Sequence, residues 1–232
     1  MTTSVKDLNC RIRDYIWVKD DSLSKEFCQN VITKFDNDDR KSPGVVGAYK
    51  EVKKDVKDTM DLNISNFNGW EDEDSVFFTA LSCGLREYQE EYLVNLNPDV
   101  VCTPSSEFMQ SDTGYKLQMY EPNAQYVWHH DWTMTGGMRG SKMTKDPIAS
   151  RIYTFMWYLN TIPKKNEGYT EFADGTKIQP RAGRMVIFPA TWTYVHRGAP
   201  TKEGRKYICN GWIFARPRCH QRLSALDYEV SN

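Results

Sequence analysis

The stretch Tyr126-Val-Trp-His-His-Asp-Trp132 sets two of the chain's four histidines beside an aspartate and between two tryptophans. Crowding imidazoles and a carboxylate into an aromatic segment is costly in desolvation unless something binds them, and a metal ion would do so. On an extended strand His129 and Asp131, two positions apart, point to one side while His130 points to the other. Two ligands therefore converge, and a third must come from elsewhere in the chain. His196 and His220 are the remaining histidines. His196 follows the strand-like segment Thr191–Val195, whereas His220 sits in the polar run Arg-Pro-Arg-Cys-His-Gln-Arg, so His196 is the better third ligand. Two imidazoles and one carboxylate, with coordination positions left open, suit Fe(II) and also zinc. A metal-free hydrogen-bonded His129–Asp131 pair at a strand end is the plain structural alternative.

The elements that must position these residues fall into two halves. Tyr15–Val18 reads as a short strand, and Asp20–Ser24 supplies helix-capping residues before Phe27, Val31, Ile32 and Phe35, which share one helical face. Residues 37–75, rich in Asp, Lys, Asn and Gly, predict loops with short strands. From Asp74, Phe77, Leu81, Leu85, Tyr88 and Tyr92 recur at helical spacing, and Asn97-Pro98 ends that helix. Segments of strand-type composition follow at 115–120, 151–159, 169–172, 184–188, 192–196 and 206–214, separated by Gly, Pro and Asp turns. Helices followed by many short strands predict a mainly β protein (α+β), a sandwich or partly closed barrel braced by N-terminal helices.

The length of 232 residues suits one domain over 1–232, with the N-terminal strand and supporting helices in 1–100 and the β core in 115–214. Thirty basic against thirty-one acidic side chains leave a net charge of -1, so no global basic field favours nucleic acid. The six cysteines are scattered, without the close pairs of a zinc ribbon or redox dithiol, and read as reduced structural thiols. With no apolar run approaching the roughly 20 residues of a membrane span and no leader-like start, the expectation is a cytoplasmic protein with no membrane partner.

A longer ordered pattern surrounds the histidines. Tyr120 precedes His129 by nine residues. Arg151, Thr154, Tyr158, Leu159 and Asn160 form R-x-x-T-x-x-x-Y-L-N. Gly168, Thr170 and Phe172 form G-x-T-x-F, and Pro180, Gly183, Phe188 and Pro189 follow. His196, Gly198, Pro200, Lys206 and Trp212 close the series. In this the chain resembles the 2-oxoglutarate and Fe(II)-dependent dioxygenases, within them the prolyl 4-hydroxylase-like branch, over about residues 115–214. It departs from the family where Ala124 and Tyr169 replace glycines.

The resemblance implies a double-stranded β-helix (jelly-roll, cupin-like) core and one Fe(II) held by His129, Asp131 and His196. It also implies 2-oxoglutarate and O2 as co-substrates, with ascorbate as a further candidate. Strand alternation puts Lys206 and Arg205 on opposite faces without choosing between them; the family spacing selects Lys206 as the cation for the distal carboxylate of 2-oxoglutarate. Tyr158 is implied as its hydroxyl partner, Tyr120 as a further pocket residue and Trp212 as a wall. For Trp128 and Trp132 a packing role is expected over a substrate rim.

The implied reaction couples decarboxylation of 2-oxoglutarate, giving succinate and CO2, to hydroxylation of an unactivated C–H bond, with a prolyl residue of a peptide or protein as substrate by analogy. A free amino acid or other small molecule, and a non-catalytic cupin-like metal-binding module, are the alternatives; a nucleic-acid demethylase is disfavoured by the neutral charge. The Gly- and Met-rich loop Thr133–Asp146 is expected to act as a substrate lid.

Overall fold

Alternation in the C-terminal half becomes two antiparallel sheets enclosing an apolar interior, with the helices packed on the outside of the larger one. The computed structural model describes residues 15–47, 50–93, 108–135, 138–139, 142–143 and 149–217. The first half contributes β1 (Trp17–Lys19), α1 (Lys25–Asn37), β2 (Ser42–Pro43), β3 (Met60–Asn63), α2 (Glu71–Leu93) and β4 (Phe108–Asp112). The second contributes β5 (Lys116–Tyr120), β6 (Tyr126–His129), β7 (Met134–Thr135), β8 (Met138–Arg139), β9 (Lys142–Met143) and β10 (Ala149–Tyr158). It ends with β11 (Thr170–Phe172), β12 (Lys177–Ile178), β13 (Met185–Pro189), β14 (His196–Gly198) and β15 (Lys206–Pro217).

The larger sheet runs β1-β13-β10-β15-β5-β3-β2, with β4 added on β15 and β7 on β10; the smaller runs β12-β11-β14-β6. From β5 onward the chain passes repeatedly between the sheets: β5, β10, β13 and β15 lie in the larger, and β6, β11, β12 and β14 in the smaller. That winding is the jelly-roll expected from the resemblance. Period-2 alternation then divides the larger sheet's side chains between two cores. Tyr153, Phe155, Trp157, Tyr207, Cys209 and Ile213 pack on the helices, while Met156, Tyr158, Val186, Phe188 and Ile208 fill the space between the sheets.

The helices form for reasons legible in their ends and faces. Ser24 caps α1 by accepting a hydrogen bond from the Phe27 amide at 3.1 Å, and Cys28, Val31, Ile32 and Phe35 are its buried stripe. Four acidic residues, Glu71 to Asp74, occupy the first turn of α2, where the helix dipole favours them. Its Phe77 ring packs 5.4 Å from Tyr115 and 5.3 Å from Trp157. Gly84 allows the close approach of α2 to β13, since a side chain there would meet the Met185 sulfur.

Three boundaries differ from expectation. α2 begins at Glu71 rather than Asp74, because acidic first-turn residues carry no apolar periodicity; its expected stop near Asn97-Pro98 lies outside the described residues. The strand expected at 192–196 is β14, which starts only at His196, and a turn closed by the Tyr194 amide on the Thr191 carbonyl precedes it. The short strand β12 sits where composition predicted turns, whereas β3 is one of the short strands expected within 37–75 and is held by its pairing with β5. Of the expected lid, only 133–135, 138–139 and 142–143 are described, so its role lies outside the described residues. Cys28, Cys83 and Cys209 are free thiols, two of them buried. No helix among the described residues is long and apolar enough to cross a membrane.

Candidate metal centre and its cavity

His129 ends β6 and His196 opens the neighbouring β14, and the two are direct cross-strand partners. Their rings lie 4.3 Å apart, and Asp131 follows two residues after His129. Its carboxylate is 3.8 Å from His129 Nε2 and 3.7 Å from His196 Nε2, and the three ligand atoms all lie within 4.8 Å of one another. Each imidazole is oriented from behind: Nδ1 of His129 lies 2.8 Å from the Val127 carbonyl oxygen, and Nδ1 of His196 lies 2.9 Å from that of Tyr194. A proton on Nδ1 satisfies each carbonyl and leaves the Nε2 lone pair free to coordinate. Thr154 donates to Asp131 Oδ2 at 2.8 Å, which fixes the carboxylate plane.

The electrostatics match what a divalent metal requires. Burial and the neighbouring His196 push the His129 imidazole down to about 4, so it is neutral at physiological pH. Burial would raise the Asp131 carboxyl, yet His196, His129 and the Thr154 hydroxyl outweigh it and hold the group at about 2. The Trp212 indole N–H adds to that pull without completing a full hydrogen bond to any described acceptor. A neutral His129 imidazole and an ionised Asp131 carboxylate are the ligating forms of those two side chains. The donor set thus fits Fe(II), which His129, Asp131 and His196 would hold beside the cavity they line.

The cavity holds about 710 Å³ between the two sheets. The register of the larger sheet sets out one wall: Trp212 pairs with Thr154 near the His-Asp-His cluster, Asn210 with Lys116, and Tyr120, further in, with Lys206, which lies behind the Tyr120 ring rather than in the lining itself. Lys206 is 2% exposed. Its Nζ donates to the carbonyls of Gly168 (3.1 Å) and Ala199 (2.9 Å) and lies 4.4 Å from the centre of the Tyr120 ring. Among the described residues no carboxylate pairs with it, and burial alone pushes its ammonium down to about 7. A buried, unpaired lysine beside a cavity is a ready counter-ion for an incoming anion. Arg205 lies on the outer surface in an ion pair with Glu121 at 2.8 Å, which leaves Lys206 as the inward cation.

The other residues singled out by sequence distribute unevenly. Tyr120 lines the cavity. The Tyr158 hydroxyl sits 2.6 Å from Thr170 Oγ1 and 3.2 Å from the Ile178 carbonyl oxygen, so it reaches the cavity through Thr170 rather than directly. His130 is exposed at the cavity mouth and is not one of the clustered ligands. The packing role expected for the two tryptophans is overturned. Trp128 and Trp132 are 46% and 44% exposed; Trp132 lines the cavity, and Trp128 has the Arg197 guanidinium 4.9 Å from its ring.

Sequence reasoning gave no role to Lys57, Asp61, Lys116 or Gln118, because β3 and β5 had to be paired before these residues could meet. It quoted Arg151 only as part of a motif. A β-bulge between Arg151 and Tyr153 turns Arg151 to the cavity side, where its guanidinium lies 3.6 Å from the centre of a Trp212 ring.

Residues 115–214 match the family model described as the 2OG-Fe(II) oxygenase superfamily. Among curated relatives, a candidate prolyl 4-hydroxylase of Acanthamoeba polyphaga mimivirus is 25% identical over 158 residues, 62% of this chain and 64% of that protein. The alignment therefore spans less than two thirds of that relative's length. A viral collagen prolyl hydroxylase of Paramecium bursaria Chlorella virus 1, solved with 2-oxoglutarate, shares the fold with a TM-score of 0.55 and 20% identity, over 86% of this chain and 96% of that one. A prolyl hydroxylase of Trichoplax adhaerens, solved with a peptide fragment of a hypoxia-inducible factor, gives 0.61 and 15%, over 86% and 83%. Residues 115–214 are thus similar to the 2OG-Fe(II) oxygenase superfamily, and the chain shares the fold of solved prolyl hydroxylases. Members of that superfamily use Fe(II), 2-oxoglutarate and O2.

Proposed function

We propose that the protein hydroxylates an unactivated C–H bond, in a prolyl residue of a peptide or protein, and converts 2-oxoglutarate to succinate and CO2 in the same turnover. One observation carries this reading: a cavity with a His-Asp-His cluster in its wall is also lined by Tyr120 and Gly198, and just behind them lies a buried lysine with which no carboxylate among the described residues pairs. In this reading His129, Asp131 and His196 hold Fe(II), and Lys206 takes the distal carboxylate of 2-oxoglutarate beside Tyr120 and the Tyr158–Thr170 hydroxyl pair. Bound there, the iron and 2-oxoglutarate supply the power to activate O2 against a C–H bond. The chain's own groups supply position. Thr154 sets the carboxylate ligand, Met156, Phe188 and Ile208 keep the interior dry, and Trp132 and His130 border the opening through which substrate enters.

The test is a screen of prolyl peptides with the protein, Fe(II) and 2-oxoglutarate. It looks for succinate and, by mass spectrometry, for a peptide gaining one oxygen atom only when both metal and co-substrate are present. Succinate at the metal-free background with every peptide would overturn the reading.

A further inference from the structure

One wall of the cavity carries more positive charge than its own carboxylates neutralise. Lys57, Lys116 and Arg151 line it, and Asp61 is the acid nearest to Lys57 and Lys116. Asp61 is already occupied: Lys57 Nζ donates to it at 2.6 Å, Thr59 Oγ1 at 2.7 Å and Gln118 Nε2 at 3.1 Å. Lys116 Nζ stands 4.0 Å from the same carboxylate, at the limit of an ion pair. It lies 4.8 Å from a Trp212 ring centre that the Arg151 guanidinium approaches to 3.6 Å. Two cations thus share one indole. Asp131, the remaining acid nearby, is committed to the metal cluster.

The polar groups around this spot are also short of partners. Arg151 Nε, Trp212 Nε1 and Asn210 Oδ1 are buried without a hydrogen bond to any described group. Burial and the neighbouring Lys57 push the Lys116 ammonium down to about 8, and the carboxylates of Asp61 and Asp131 offset them only in part. An Arg151 Nε–H without an acceptor among the described groups and a surplus of positive charge, next to the His-Asp-His cluster, call for an anion with oxygen acceptors.

We infer that Lys116, with Arg151 beside it on Trp212, forms an anion subsite that selects substrates bearing a carboxylate close to the carbon to be oxidised. The inference rests on the oxygenase reading for the identity of the bound molecule as substrate. The carboxylate can belong to an acidic side chain next to the target residue, to a peptide C-terminus or to a free amino acid. All three present the same chemistry to Lys116.

The test is anaerobic calorimetric titration of the protein loaded with Fe(II) and 2-oxoglutarate. The probes are an end-blocked proline peptide with a neighbouring aspartate, its asparagine twin, a neutral proline peptide with a free and with an amidated C-terminus, and proline against prolinamide. The expected result is at least one carboxylate probe binding tenfold or more tightly than its amide twin, and the pair that shows it identifies the source. Lys116→Met should erase the preference and Lys116→Arg should keep it, with 2-oxoglutarate affinity equal in both. Equal binding within every pair overturns the subsite, and the wild-type comparison alone suffices to show it. Loss of 2-oxoglutarate affinity in Lys116→Met also overturns it, by giving Lys116 to the co-substrate. A protein that prefers the aspartate peptide yet binds no 2-oxoglutarate keeps the anion subsite and refutes the oxygenase reading.

Discussion

Asp131 is held by one side-chain hydrogen bond and two imidazoles, so its neighbours can be separated by substitution. Asp131→Ala should abolish stoichiometric Fe(II) binding, whereas His130→Ala should retain it, because His130 is exposed at the mouth; metal analysis after desalting reads both. Thr154→Val keeps the shape and removes the bond to Asp131 Oδ2, and should weaken Fe(II) binding by about 10–100-fold, the scale of losing a group that orients a ligand. Lys206 gives a pH signature. Its ammonium sits near 7 when folded and free of ligand, against an ordinary value of 10.5. Between those values the unfolded chain holds the proton that the folded chain has released, so ligand-free stability rises with pH across that window. A bound dianion restores the proton. At pH 8 binding of 2-oxoglutarate should therefore take up a proton, visible as a dependence of binding heat on buffer ionisation enthalpy, and affinity should fall as pH rises above 7. The His129–Asp131–His196 cluster was legible in the sequence because histidine is scarce here and one spacing, His129 to Asp131, sets two of them on one face. Lys116 and Asp61 were not, because their meeting depends on which strands pair.

At the level of elements, the long amphipathic patterns and the strands β1 and β11 were readable, while β12 was not and β14 was placed too early. A strand as short as β12 or β14 has too few residues to show alternation and exists because a neighbour pairs with it. The bulge that re-aims Arg151 has no composition signal in Arg-Ile-Tyr-Thr. The Pro180–Gly183 motif, by contrast, marks a real constraint. Gly183 has φ +81°, and a side chain there would strike the Leu23 carbonyl oxygen at 2.1 Å, at the junction where the segment before α1 meets the turn into β13. Gly183→Ala should cost about 3 kcal/mol or more, from left-handed strain and backbone collision together. A lowered denaturant midpoint at unchanged slope would show it; a midpoint within error of wild type would mean the junction gives way easily.

The whole molecule separates stability from chemistry by placing two cores on the two faces of one sheet. Phe77 lies on the helix side, and Phe77→Ala should cost about 3–5 kcal/mol of stability. Fe(II) affinity of the folded fraction should stay unchanged. Phe188 lies on the inner side, its ring 4.9 Å from that of His196, and Phe188→Ala should lower both stability and metal affinity. Equal effects on metal binding from the two variants would show that the sheet does not insulate the site.

Lys206 has a consequence for molecules that imitate the co-substrate. An ammonium has three protons, and this one gives two of them to the carbonyls of Gly168 and Ala199. One proton remains for a visitor, aimed from a single point rather than from the two-pronged fork an arginine would present. Inhibitors built to grip this end with a rigid, flat carboxylate gain little from their rigidity. Tight binding should come instead from a single strong acceptor, free to turn, placed at the distance that one proton can reach.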